Sequence, residues 1–234
     1  HVAWCWKAGN GSTINNDGTL QSTVSANRDA GFSIVTYTGS NPAAVNTVGH
    51  GLSQAPEWIL VKALETSDSW LAGHSGMGWT KTMYLNTTDD PDTNAAFWNN
   101  TDPTSSVFTI STSGKGNDPG KGMVAYCWHG IEGYSKFGTY EGNGNADGPF
   151  VYTGFKPAWI MVKNMDVNSR NWQLLDNKRS PINPVNEFIR PNATTVETSN
   201  YDVDFLSNGF KVRNTDADYN ESGQSFIYMA FAEM

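Results

Sequence analysis

The sequence contains one hydrophobic stretch twice, as PEWILVK at residues 56–62 and as PAWIMVK at residues 157–163. Each copy begins with a proline and continues as an unbroken apolar run, which is typical of a strand buried on both faces. A proline is tolerated there because the first residue of a strand need not donate a ladder hydrogen bond. The two copies therefore predict two equivalent buried strands.

The same spacing recurs along the chain. Five further pairs of blocks match this first pair, at offsets that stay between 101 and 105 residues. They are 36–39 with 139–142, Trp70 with Trp172, 84–85 with 188–189, 107–110 with 209–212, and 124–126 with 229–231. A stable offset across hydrophobic blocks indicates an internal duplication, because insertions are tolerated mainly in the loops between them.

The final block of the unit occurs a third time near the N-terminus. The string VAWCW at 2–6 is similar to VAYCW at 124–128, so residues 1–8 are predicted to be the closing strand of a preceding repeat. Residues 9–31 are rich in Gly, Asn, Ser and Thr and predict a linker or exposed arm, or else a long surface loop inside one domain. The two complete units are residues 32–131 and 132–234.

The pattern between the blocks favours β-structure. Short apolar runs alternate with turn residues, and no segment keeps a helical period over three turns. We therefore predict an all-β chain of two tandem antiparallel β-sandwich repeats, of jelly-roll-like kind.

The charge of the chain limits its partners. The formal net charge is −8, whereas a protein that binds duplex nucleic acid needs a basic face to displace counterions. An anionic membrane surface is disfavoured for the same reason, and no run approaches the roughly 18 apolar residues of a spanning helix. We expect neither nucleic acid nor membrane as a partner.

Few residues suggest covalent or metal chemistry. Cys5 and Cys127 occupy equivalent positions in different units, which argues against a disulfide and for two buried thiols. The four histidines lie at no ligand spacing, and solvated loop charge is the favoured interpretation of the carboxylates. The Asp-x-Asp pairs at 202–204 and 216–218 leave calcium open as a weak alternative. We otherwise expect no cofactor and no catalytic residue.

The aromatic residues are the best functional signal. Trp70, Trp79, Trp98 and Trp172 adjoin polar residues such as Asn99, and an aromatic face beside amides and carboxylates can hold a sugar ring. Trp70 and Trp172 are equivalent, so they are alternatively structural marks of the fold. The non-repeated Trp79 and Trp98 are the better binding candidates.

One charged loop occurs in the second unit only. It contains Asp176 and Arg179, which are predicted either to contribute to a binding site or to form a salt-bridged corner.

At this level of detail the sequence resembles a known family. The resemblance lies in the strings VAWCWKAG at 2–9, FSIVTYTG at 32–39, GHGL at 49–52, APEWILVK at 55–62, YLNTT at 84–88, EGYSKFGTY at 132–140, DGPFVYTGFKPAW at 147–159, DFLSNGFK at 204–211 and IYMAFAE at 227–233. They are similar to marine phage (cyanophage-like) tail-fibre and tail-spike-like repeat proteins. The resemblance covers essentially the whole chain in order. It implies an extracellular virion appendage, in the tail or on the surface, that is a homotrimer if it is a fibre. It carries over no catalytic residue.

Three functions follow as hypotheses. The leading one is a non-enzymatic tail-fibre or receptor-binding segment that adheres to host-surface polysaccharide and assembles with other virion subunits. The second is a polysaccharide depolymerase of a phage spike, either a glycoside hydrolase with two carboxylates across a cleft or a lyase with a Tyr/His pair. The third is a capsid decoration or assembly protein, whose aromatic surface would meet other subunits.

Overall fold

A computed structural model describes residues 2–40 and 43–233 of the chain. His1, Asn41, Pro42 and Met234, which the predicted boundaries include, lie outside the described residues. The chain divides into two compact units. The N-terminal unit comprises Cys5–Tyr84 and Pro91–His129, and the C-terminal unit comprises His1–Trp4, Leu85–Asp90 and Gly130–Met234.

The N-terminal unit consists of β-strands with short helical segments. Its strands are β1 (Thr13–Asn15), β2 (Ser22–Asn27), β3 (Phe32–Thr38), β4 (Asn46–Gly49), β5 (Trp58–Ala63), β6 (Leu71–His74), β7 (Lys81–Tyr84), β8 (Asp92–Thr93), β9 (Val107–Ile110) and β10 (Gly122–Trp128). A 3₁₀ turn follows β6 (Ser75–Met77), α1 (Ala95–Trp98) precedes β9 and α2 (Gly114–Asn117) precedes β10. One sheet has the order β1-β2-β3-β10-β5-β6-β7-β8, and β4 pairs with β9 separately.

The C-terminal unit forms a single sheet. Its strands are β11 (Ser135–Glu141), β12 (Phe150–Tyr152), β13 (Pro157–Asn164), β14 (Gln173–Asp176), β15 (Val185–Ile189), β16 (Thr198–Leu206), β17 (Gly209–Val212) and β18 (Ser225–Ala232), with α3 (Ala217–Asn220) before β18. Their order is β11-β18-β13-β14-β15-β16-β17-β12. The sheet is strongly curved, since Tyr140 on one edge strand contacts Phe210 on the strand beside the other edge.

The predicted all-β class with antiparallel sheets is confirmed, because strands predominate and every pair of the strands named above is antiparallel. The two units repeat the same order of elements. Strands β3, β4, β5, β6, β7, β9 and β10 correspond in position and pairing to β11, β12, β13, β14, β15, β17 and β18, and α2 corresponds to α3. The duplicated blocks of the sequence therefore lie on equivalent strands.

The predicted linker at 9–31 is wrong for two segments, because it contains β1 and β2. Strand β2 pairs with β3 over six residues and buries Ser22 and Val24. Val24 is the only large apolar residue among its inward positions, since Ser22 and Ala26 are small, so the apolar/polar alternation of β2 is too weak to indicate a strand.

Residues 2–8, predicted as a closing strand, form no strand with any described residue. The equivalent strand β10 already pairs with both β3 and β5, so that position in the N-terminal sheet is occupied. The relation of this segment to a preceding repeat stays a prediction.

Each unit has its own apolar core. In the N-terminal unit, side chains from β2, β3, β5, β9 and β10 pack with Trp79 and with Phe97 and Trp98 of α1. In the C-terminal unit, side chains from β13 to β18 pack with Tyr219 of α3. Within the described residues, no helix is long and apolar enough to cross a bilayer.

Candidate functional site

Three of the four tryptophans predicted to bind sugar are buried. Trp79 is 5% exposed, Trp98 is 1% exposed and Trp172 is fully buried. The rings of Trp79 and Trp98 meet edge to face, with centroids 5.2 Å apart. Neither ring is thus the open stacking platform that the sequence suggested, and Trp98 is a core residue.

A glycine explains why the two rings fit together. A Cβ atom added at Gly73 would lie 2.4 Å from Trp79 Cζ3 and 2.8 Å from Trp98 Cζ2. The missing side chain on β6 therefore makes room for both indoles. The polar neighbours that suggested binding are simply the loop residues beside two buried rings.

The other predicted residues of the N-terminal unit lie elsewhere. Trp70 is partly exposed, and its ring stacks on Tyr126 with centroids 6.2 Å apart. Asn99 is exposed and ends α1 in the left-handed conformation, where its backbone N–H donates to Ala95 O. Asn99 therefore has a local capping role that asparagine suits.

Asp176 and Arg179 are brought together as a salt-bridged corner. Asp176 is fully buried, and its Oδ1 accepts the backbone N–H groups of Lys178 and Arg179 at 2.9 Å each. The guanidinium of Arg179 pairs with Asp176 Oδ2 and, through Nε, with Glu197 at 2.6 Å. The charges of Arg179, Asp176 and Glu197 pair with one another, which favours the salt-bridged corner over a binding site.

A surface pocket in the N-terminal unit does include one predicted residue. It has a volume of about 320 Å³, and we call it the Trp79 pocket. Its lining residues are Ala55, Pro56, Glu57, Ser75, Gly78, Trp79, Asp102 and Pro103. The volume lies at the lower end of the range for small-molecule sites, roughly 300–1,000 Å³.

Backbone hydrogen bonds set the shape of the Trp79 pocket. Glu57 precedes β5, its N–H donates to Trp128 O at 2.7 Å, and its carbonyl accepts Ser75 N–H at 2.8 Å. The turn after β6 is capped by His74, whose Nδ1 accepts Gly76 N–H at 2.9 Å. These bonds fix the backbone of Glu57 against β10 and against the turn after β6, so this part of the pocket wall is held in place.

The chemistry of the Trp79 pocket is mixed. Pro56, Pro103 and Trp79 are buried and apolar, whereas Glu57 is partly exposed and Asp102 is exposed. Carboxylates accept hydrogen bonds from hydroxyl groups, and apolar walls contact C–H groups. The sequence reasoning noted Trp79 but missed both carboxylates, because residues 57 and 102 are far apart in sequence and line one pocket only in the fold.

The C-terminal unit contains a buried polar cluster, of which the sequence analysis considered only Asp216 and Asp218. The carboxylate of Asp218 accepts Gln173 Nε2 at 2.6 Å, together with the backbone N–H and Nδ2 of Asn171 at 3.1 Å each. Asp216 caps α3 by accepting Asp218 N–H. The Asp-x-Asp pair at 216–218, considered for calcium, is therefore used for internal hydrogen bonds.

Lys163 lies near this cluster and is fully buried on β13. Its Nζ donates to the carbonyls of Thr88 at 3.3 Å and Asn164 at 3.4 Å. Burial lowers the pKa of Lys163 to about 8, although Asp218 acts in the opposite direction. Its counterpart Lys62 is only partly buried and donates to Ala63 O and Thr66 O.

The thiols and histidines of the N-terminal unit have no common site. Cys127 is a buried free thiol whose pKa is raised by burial, as expected of a core cysteine. Cys5 is a free thiol but is exposed, so its predicted burial is wrong; no strand forms there to turn it inward. His50 is buried, with Nε2 near Thr104 O at 3.1 Å and Nδ1 accepting Leu52 N–H.

Within residues 2–40 and 43–233, no three His, Cys, Asp or Glu side chains are grouped as metal ligands. The absence of a cofactor stays a prediction.

The fold and the Trp79 pocket define an all-β repeat protein with a small surface site. The chain belongs to a protein family described as a domain of unknown function (DUF7483), whose model matches residues 1–234. No curated protein and no solved structure matches the chain significantly.

Proposed function

We propose that this is a non-enzymatic virion protein, a tail-fibre or receptor-binding segment of tandem jelly-roll-like β-sandwich repeats. In this proposal it is extracellular and adheres to host-surface polysaccharide through the Trp79 pocket. The observation that carries the proposal is the combination of a sugar-sized concavity, an apolar wall and two carboxylates in that pocket. Hydroxyl groups of a sugar would donate to Glu57 and Asp102, while its C–H groups would contact Pro56 and Trp79.

A pocket this small supports weak binding, so useful adhesion needs several copies. A homotrimer assembled with other virion subunits would supply them, since linked sites gain through effective concentration. The mass of the purified chain in solution measures whether it is trimeric. A monomer would leave adhesion to depend on the assembled appendage.

The test compares three proteins on a glycan array and by NMR titration with the glycans that score. They are the wild type, the double variant Glu57→Gln/Asp102→Asn, and the control Asp92→Asn, an exposed carboxylate outside the pocket. The double variant is expected to bind at least about tenfold more weakly, because two charged acceptors are lost. The control is expected to bind like the wild type. Equal binding by the double variant, or no glycan bound by the wild type, would overturn the proposal.

A depolymerase is the second candidate, because Glu57 and Asp102 both line the Trp79 pocket and glycosidases use a pair of carboxylates. Incubation with a polysaccharide that binds distinguishes the two. Reducing ends released by the wild type and lost in Glu57→Gln would establish hydrolysis. Binding without reducing ends would leave adhesion as the function.

A further inference from the structure

Arg28 differs from every other arginine of the chain. The sequence contains five arginines, and Arg170, Arg179, Arg190 and Arg213 each pair with a carboxylate. Among the residues that the structure describes, Arg28 has no ion pair. Its Nε donates to Gly51 O at 2.9 Å, which leaves the two terminal nitrogens available on an exposed side chain.

Two pockets adjoin Arg28, and both are lined in part by the segment 7–13. The first, of about 390 Å³, is lined by Gly9, Asn10, Gly11, Ser12, Thr13, Asn15, Val24, Ala26, Arg28 and Gly51. The second, of about 470 Å³, shares Gly9, Asn10, Ala26 and Arg28 with the first and adds Lys7, Ala8, Asn27 and Asp29. We call them together the Arg28 site. It shares no lining residue with the Trp79 pocket.

Residues 7–9, which line the Arg28 site, are hydrogen-bonded to β2. Asn27 Nδ2 donates to Lys7 O at 3.2 Å, and Ser25 Oγ donates to Gly9 O at 3.3 Å. A Cβ atom at Gly9 would lie 2.8 Å from Ala26 O, so only glycine allows this close approach. The loop is thereby held against the strand, with Lys7 and Asn10 exposed beside Arg28.

The acceptor of the Arg28 bond is also held in place. Gly51 has a φ of 71°, a conformation that favours glycine, and a Cβ atom there would lie 2.6 Å from Val24 Cγ1. The carbonyl that orients the guanidinium is therefore positioned by the backbone. A guanidinium group that is already oriented loses less entropy when its nitrogens bind an anion in a bidentate manner.

The local charge favours an anion, although the chain has a net charge of −8. The residues that line the Arg28 site include two cations, Lys7 and Arg28, and one carboxylate, Asp29. Within the described part of the chain, neither cation forms an ion pair. The amide of Asn10 and the hydroxyls of Ser12 and Thr13 add neutral hydrogen-bonding groups of the kind that sugar hydroxyls use.

From these observations we infer that the Arg28 site binds the oxyanion of an acidic saccharide, a sulfate ester or a carboxylate. The saccharide part of this inference rests on the proposed function, whereas the oxyanion part rests on the Arg28 site alone. The guanidinium of Arg28 provides the bidentate contact, Lys7 adds a second positive charge, and Asn10 and Ser12 receive the ring hydroxyls.

The experiment is an NMR titration of the full chain with four probes: glucose 6-sulfate, glucuronate, glucose and inorganic sulfate. The acidic sugars are expected to shift backbone signals of residues 7–13 and 26–29, and glucose is expected to leave them unchanged. The two acidic probes distinguish a sulfate from a carboxylate. Because charges dominate, affinity is expected to fall as salt is raised. A lack of shifts at residues 7–13 and 26–29 with both acidic sugars would overturn the inference.

Variants test the role of the cations. Arg28→Gln is expected to weaken binding of the acidic sugar by about tenfold or more, and Lys7→Gln by a smaller factor. Arg28→Lys keeps the charge but loses the planar guanidinium, so an intermediate affinity is expected. This variant replaces Arg28→Gln in the test if Arg28→Gln perturbs the fold. The control is Lys121→Gln, an exposed lysine outside the pockets. Unchanged affinity in both Arg28 variants, or an equal loss in the control, contradicts the inference.

Failure of the two proposals can be told apart. Loss of neutral-glycan binding in Glu57→Gln/Asp102→Asn with acidic-sugar binding intact supports two separate sites. If no glycan binds at the Trp79 pocket while glucose 6-sulfate or glucuronate still shifts the Arg28 site, only the proposed function fails.

Discussion

The two units share a strand order but fill their cores differently. In the C-terminal unit, the nine-residue β16 joins β15 to β17, and Leu175 on β14 fills the core. In the N-terminal unit, the corresponding segment is the two-residue β8 followed by α1, so β4 and β9 form a separate pair. The position equivalent to Leu175 is Gly73, over which Trp79 and Trp98 pack. In the N-terminal unit, the rings of Trp79 and Trp98 over Gly73 therefore compensate for the absence of a strand equivalent to β16.

This difference teaches that a residue absent from one repeat is not thereby a functional residue. Trp79 and Trp98 were singled out because the second unit lacks them. Their burial shows that they replace core volume, and of the two only Trp79 lines the Trp79 pocket.

The largest expected effect tests this compensation directly. Trp98→Ala is expected to destabilise the protein by about 3–5 kcal/mol, because the indole is buried and its removal leaves a cavity. Urea unfolding measures the loss. Trp70→Ala, at a partly exposed ring, is the control and should cost clearly less. A loss below about 1 kcal/mol for Trp98→Ala would mean that α1 does not replace the missing strand.

The second prediction compares Lys163 with its counterpart Lys62. The ordinary lysine pKa of 10.5 is lowered to about 8 at Lys163 by burial. Between these values the unfolded chain binds more protons, so this residue adds stability as pH rises from 8 to 10.5, by up to about 3 kcal/mol. Unfolding of wild type and Lys163→Met at both ends of this range should show the rise only in the wild type. Lys62→Met should keep it, and a rise that persists in Lys163→Met contradicts the assignment.

The third prediction concerns His50, since residues 130–234 contain no histidine. Burial lowers the pKa of His50 from 6.5 to about 4, with His129 acting in the same direction. The unfolded chain takes up this proton as pH falls from 6.5 to 4 while the folded state does not, so up to about 3 kcal/mol is lost. NMR titration of the imidazole should give a midpoint near pH 4. His50→Gln should lack this part of the acid destabilisation, and a midpoint near 6.5 would refute the prediction.

The smallest effect probes the space at β6. Gly73→Ala is expected to cost about 1–3 kcal/mol, because the added methyl overlaps both indoles. In a Trp98→Ala background the same change should cost less, since the cavity accepts the methyl. Gly114→Ala is the control, as nothing lies within 4 Å of an added Cβ there. Equal costs in both backgrounds would show that Trp98 does not set the requirement for glycine.

The scaffold common to both units was the most predictable part. The blocks at 56–62 and 157–163 lie on β5 and β13, as their apolar runs indicated. A shared bond was not predicted: Tyr37 Oη donates to Gly116 O at 2.6 Å, and Tyr140 Oη donates to Tyr219 O at 2.8 Å. These pairs are 79 residues apart in both units, so no local pattern reveals them.

The sites were less predictable than the scaffold. Asp176 and Arg179 are close in sequence, and their pairing as a corner was one of the two alternatives. The Trp79 pocket and the Arg28 site each combine residues from separate loops. Lys7 and Arg28 line the same pocket because Ser25 and Asn27 of β2 bind the backbone of residues 7–9.

By itself, the sequence determined the duplication, the all-β class and the equivalent buried strands. It could do so because hydrophobic period and turn residues are local signals that survive in both copies. Only the tertiary structure decided that Trp98 is core, that Gly73 makes room for it, and that Glu57 and Asp102 share a pocket. Burial and proximity depend on contacts between residues distant in sequence, which the order of residues does not display.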